Sequence, residues 1–171
     1  MIKPGDNIPS AATWHVTGDD SVIVNVAEWL AEGKHIFFSL PGAFTPTCHN
    51  HHLPGFVANA DKLKSLGIDK IICASVNDPH VMRAWAKAQN AFGKIEFLAD
   101  FDASLALDMG LSRDLSATGL GQRFMRSAMI IERGIVSSIF VDSVPGQLTN
   151  TSASSIMGVL RSQHVKELQD A

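Results

Sequence analysis

The segment Pro41 to Phe56 reads PGAFTPTCHNHHLPGF. It places Cys48 just after a proline-punctuated loop, in the first turn of a predicted helix. There, unpaired backbone N–H groups and the positive end of the helix dipole favour thiolate over thiol. The Cys48 pKa is therefore expected below the usual cysteine value of about 8.5, which makes Cys48 a nucleophile near neutral pH. Thr45, a few residues earlier, can offer a hydroxyl to the same pocket. Pro41 and Pro46 hold the loop with few donors and limited water. A small polar substrate could be oriented in such a pocket.

A dithiol of the Cys-x-x-Cys kind is excluded, because position 51 is His51. Cys48, His49, His51 and His52 together contain the ligand types that zinc and copper prefer. Their spacing argues against a metal, since neighbours one and three apart on a helix point in different directions. His52, four residues after Cys48, shares its helical face and can support the active loop by hydrogen bonding. His49 and His51 are expected to face solvent. As a base His52 is not needed if Cys48 is already ionised.

The elements that must position Cys48 follow from apolar periodicity. In 171 residues, 46% apolar and 18% charged, there is material for one core, and a single domain over 1–171 is expected. Ile36 to Leu40 and Ile71 to Val76 read as strands buried on both faces. A helix from about Pro46 to Leu66 lies between them, with Gly67 as its cap. Asp78-Pro79 opens a second helix through Trp85 to about Ala91. Ile95 to Ala99, Ser127 to Glu132 and Ile135 to Val141 are further strands, the last two joined by a tight Arg133-Gly134 turn. A closing helix starts near Ser152, where Thr149 to Ser155 supplies capping candidates. This alternation implies an α/β fold with a central mixed sheet and helices on both faces, an order that resembles the thioredoxin-like arrangement. In such sheets the reactive site lies where a strand hands over to a helix, which is the position of Cys48.

Fourteen basic residues against seventeen acidic ones, a net charge of -3, offer no field for a polyanion, so nucleic acid is not an expected partner. Met1 to Ser10 has neither a secretory nor a transit pattern, and no long apolar run predicts a membrane span. A cytoplasmic location is the expectation.

PGAFTPTC followed by HLPGF resembles the active-site signature of peroxiredoxins, specifically the type II, peroxiredoxin-5-like subgroup. Gly67-Ile68-Asp69, Cys73 to Pro79 and Val81 to Trp85 resemble the next block of that subgroup. Arg126-Ser127-Ala128-Met129 resembles its arginine-bearing strand. The resemblance implies a thiol peroxidase acting on hydrogen peroxide and alkyl hydroperoxides without a cofactor. Cys48 is then the peroxidatic cysteine, Pro41 and Thr45 shape the pocket, and Arg126 supplies the positive charge. Arg123 is the rival arginine and is assigned a surface or loop role.

The resulting sulfenic acid must be reset by an internal or external thiol. Cys73 sits in an apolar strand, the setting of a buried, inert thiol, although some relatives carry a second cysteine at this spacing and use of Cys73 as a resolving cysteine stays open. The subgroup's C-terminal resolving position falls in Gly146 to Thr151, which has no thiol. The resemblance thus implies reduction by glutathione with glutaredoxin, or by thioredoxin. It also implies a homodimer, for which Phe44 and Phe92 are candidate surface contacts. Two other classes fit the same residues: a Cys/His metal carrier and a redox-sensing binding protein.

Overall fold

The computed structural model describes residues 1–171. It opens with β1 (Ala12–Val16), β2 (Ser21–Asn25), the short α1 (Val26–Trp29) and β3 (Lys34–Ser39). A π-helical turn (Cys48–His52) runs into α2 (Leu53–Ser65), followed by β4 (Lys70–Ser75), α3 (Pro79–Ala88) and β5 (Glu96–Ala99). The remainder is α4 (Ser104–Asp108), β6 (Ser112–Asp114), β7 (Gln122–Phe124), β8 (Arg126–Glu132), β9 (Ile135–Asp142) and α5 (Ala153–Asp170).

The main sheet has the order β2-β1-β5-β4-β3-β8-β9, with β6 and β7 paired apart from it. β3, β4 and β5 are parallel, and β8, β9, β1 and β2 join antiparallel, so the sheet is mixed. The continuous apolar runs of β3, β4 and β8 belong to strands covered on both sides, and their side chains alternate between two cores. Ile36, Phe38, Cys73, Phe97 and Ile130 pack with α2, α3 and α5. Phe37, Ile72, Leu98, Met129 and Ile131 pack on the other face with α1, α4 and the N-terminal segment. The fold is thioredoxin-like, with helices on both faces. No helix is long and apolar enough to cross a membrane.

The punctuation expected from the sequence works as local chemistry predicts. Asp78 accepts from the His80 and Val81 amides to open α3, and Ser152 accepts from the Ser155 amide to open α5. Arg133 and Gly134 take φ of 49° and 76°, the left-handed pair of a type I′ hairpin turn. α3 stops at Ala88 rather than Ala91, because Asn90 turns to φ 50°.

The helix expected from Pro46 to Leu66 forms as one helical run from Pro46 to Ser65, with a π-helical stretch set into it over Cys48–His52. Pro46 and Thr47 are α-helical, with the His49 amide donating to the Thr45 carbonyl at 2.8 Å; Leu53 then donates to the Cys48 carbonyl in the π-helical turn, and the α-helical register resumes at Leu53. Pro54 stands at that junction and has no N–H to continue the ladder, which favours a change of register there. β1, β2, β6, β7, α1 and α4 escaped sequence reading. They are three to five residues long, too short to show a period.

Candidate active site

β8 runs antiparallel to β3 with Ser39 opposite Ser127. The start of β8 therefore lies beside the loop that leaves β3, and Arg126 meets Cys48. Arg126 Nη2 donates to Cys48 Sγ at 3.4 Å and to the Pro145 carbonyl at 2.9 Å. Its Nη1 donates to His52 Nδ1 at 2.9 Å, while Nε has no partner. Cys48 is 1% exposed and Arg126 2% exposed, so this contact is made in a largely dry environment.

His52 is wedged against Phe38 and Phe56, and its Nε2 donates to the Thr151 carbonyl at 3.0 Å. With Nδ1 accepting from Arg126, both ring nitrogens are committed. Burial first, and then the Arg126 charge, lower its pKa to about 3. His52 is thus a neutral strut for Arg126, not a base for Cys48.

Behind this layer lies Asp142, the register partner of Arg126 on β9. Its carboxylate accepts from the Thr149, Asn150 and Thr151 amides and from the Thr149 and Thr151 hydroxyls. Burial alone would raise the Asp142 pKa, but these donors outweigh it and hold the carboxyl below its usual range. The polar run before α5 thus serves Asp142 as well as the helix cap. Asp142 was missed from the sequence, where a lone Asp at a strand end carries no signal.

Above Arg126 opens a cavity of about 290 Å³. Pro41, Thr45 and Pro46 line one side, Leu115 and Leu120 the other. The Thr45 hydroxyl donates to the Gly42 carbonyl at 2.7 Å, which leaves its oxygen free to accept from a ligand. A cysteine bonded to a guanidinium that itself lines a small and largely apolar cavity is an arrangement for thiol chemistry on a small polar head group.

The redoxin family model matches residues 3–157. Peroxiredoxin-2C of Oryza sativa subsp. japonica is 40% identical over 160 residues, covering 93% of this chain and 98% of the relative. The chain belongs to the peroxiredoxin family. Its relatives are of the type II group, and among solved structures reduced Prx3 of Vibrio vulnificus in complex with H2O2 aligns with a TM-score of 0.89 at 42% identity. That alignment covers 96% of this chain and 99% of the other. Peroxiredoxin 5 of Alvinella pompejana aligns at 0.81 with 29% identity, over 95% and 99% of the two chains. This peroxiredoxin is accordingly a thiol peroxidase.

Several side chains of the peroxiredoxin stand elsewhere than the sequence suggests. His49 is not turned to solvent: its Nδ1 accepts from Trp85 Nε1 at 3.0 Å, and Phe44 stacks on its ring at 5.7 Å. His51 is exposed. The histidines next to Cys48 thus diverge, no group of three metal-ligating side chains assembles, and the metal-carrier alternative has no ligand set. Arg123 is not a free surface residue but a half-buried one bound to the Pro41 carbonyl, because β7 folds back beside the Cys48 loop. Phe92 packs edge-on against Phe97 and is half-buried, whereas Phe44 is 51% exposed. Cys73 is wholly buried between β3 and β5, and burial pushes its thiol well above the usual range.

Proposed function

We propose that Cys48 is the peroxidatic nucleophile, with Arg126, Thr45 and Pro41 forming its peroxide pocket. The observation that carries this reading is the Arg126 guanidinium bound to Cys48 Sγ beneath the cavity. The thiolate attacks one peroxide oxygen and the O–O bond breaks. Its electron pair leaves on the second oxygen, which takes a proton and departs as water or an alcohol. The Cys48 sulfur is oxidised to sulfenic acid as the peroxide is reduced. Negative charge moves from sulfur to the departing oxygen, and Arg126 stabilises it along that path. The Thr45 oxygen accepts the peroxide hydroxyl hydrogen and so orients the attack.

Reduction comes from outside the chain, from glutathione with glutaredoxin or from thioredoxin. One thiol condenses with the sulfenic acid, releasing water and forming a mixed disulfide, and a second thiol releases Cys48. The burial and raised pKa of Cys73 favour this route over an internal disulfide. Exposed Phe44 beside the pocket suits a homodimer contact.

The test is the intact mass of reduced protein after one equivalent of hydrogen peroxide, without added thiol. A gain of one oxygen, lost in Cys48→Ser and kept in Cys73→Ser, is expected. Loss of two hydrogens would make Cys73 the resolving thiol, and an unchanged mass would rule out Cys48 as the nucleophile.

A further inference from the structure

The reaction above makes no use of Arg123, yet its guanidinium is half-buried beside the Cys48 loop. Nε donates to the Leu120 carbonyl at 2.8 Å and Nη1 to the Pro41 carbonyl at 3.1 Å. Those carbonyls belong to opposite walls of the cavity: Pro41 to the Cys48 loop, Leu120 to the β6–β7 connection. That connection is closed on itself. The Leu115 amide donates to the Gly121 carbonyl at 2.7 Å, and the Leu120 amide and Thr118 hydroxyl donate to the Leu115 carbonyl. No hydrogen bond other than that of Arg123 joins residues 112–124 to residues 40–47.

Gly42 makes room for this bridge. A Cβ at that position would lie 2.5 Å from Arg123 Nη1 and 3.2 Å from Thr45 Cγ2. Gly42 is not among the glycines with positive φ, so a methyl group there is compatible with the backbone. The mobile end of Arg123 must yield most, and the Thr45 methyl group by a few tenths of an ångström.

We propose that Arg123 fixes the separation of the two cavity walls and thereby decides which hydroperoxides are accepted. The inference rests on the peroxidase reading and deepens it. Hydrogen peroxide is small enough to engage only Cys48, Thr45 and Arg126 at the cavity floor. An alkyl hydroperoxide must also lay its apolar part against Leu115, Leu120 and Pro46, and it gains from that contact only while the walls stay closed. Arg123 is a positioning residue here, acting through Pro41 and Leu120 without touching the peroxide.

The experiment measures second-order rate constants of Cys48 oxidation by hydrogen peroxide and by cumene hydroperoxide. The proteins are the wild type, Arg123→Ala, Arg123→Lys and Gly42→Ala. The ratio of the cumene rate to the hydrogen peroxide rate is expected to fall about tenfold in Arg123→Ala. Gly42→Ala should reproduce that fall by expelling the guanidinium. Arg123→Lys should not restore the ratio, because an ammonium lacks the fork that spans two carbonyls. An unchanged ratio overturns the proposal. So does a common loss on both peroxides that Lys restores, which would mean that Arg123 acts through its charge. Wild-type protein that reacts with neither peroxide would overturn the peroxidase reading itself, and the proposal with it.

Discussion

Replacing Arg126 by Ala removes the one cation bonded to the Cys48 sulfur, 3.4 Å away. At that separation, and with an effective dielectric of about 20, a unit charge pair is worth about 5 kcal/mol. Part of this returns when water enters the space vacated by the side chain. A net loss of about 3 kcal/mol, roughly 10²-fold in rate, is therefore expected for the oxidation step. Arg126→Lys keeps the charge but not the fork shared among Cys48, His52 and Pro145, and should recover only part of that loss. The assay is stopped-flow oxidation of Cys48 over a series of peroxide concentrations, with circular dichroism to confirm the fold. A folded Arg126→Ala protein oxidised within about threefold of the wild-type rate would refute the reasoning.

His52 links stability to pH. The unfolded chain protonates it near pH 6.5, whereas in the folded protein burial and Arg126 delay protonation to about pH 3. The unfolded state thus gains the proton first, and stability falls as pH drops from 6.5 towards 3, by up to about 1.4 kcal/mol per unit; above pH 6.5 the residue contributes no slope. Urea unfolding at pH 7.5 and pH 5 should show a smaller drop for His52→Gln than for wild type, and equal drops would contradict this. Asp142→Ala strands the amide and hydroxyl donors of Thr149, Asn150 and Thr151, and should lower stability by about 2–4 kcal/mol. It should also slow Cys48 oxidation, because the Pro145 and Thr151 carbonyls that hold Arg126 and His52 hang from the same loop; unfolding at lower denaturant with an unchanged oxidation rate would deny Asp142 that role.

Much of this protein was legible in its sequence wherever cause and effect lie close together along the chain. β3, the proline loop and Cys48 form one contiguous run, so a cysteine at a strand-to-helix handover could be read directly. The same holds for the Asp78-Pro79 helix start and the Arg133-Gly134 turn, whose conformations are set by their own residues. The expectation of Arg126 rather than Arg123 beside Cys48 comes from a family pattern and not from any local rule. The pairing of β8 on β3 is what puts its guanidinium on the sulfur, and the pairing of β9 on β8 is what puts Asp142 behind it. The bridge made by Arg123 and the turn of His49 towards Trp85 equally depend on strands and helices far apart in sequence. Local propensity and periodicity report what a residue does within its own element. Which residues share a site is decided by strand register and by which side chains can fill the same dry volume, and those are properties of the packed sheet alone.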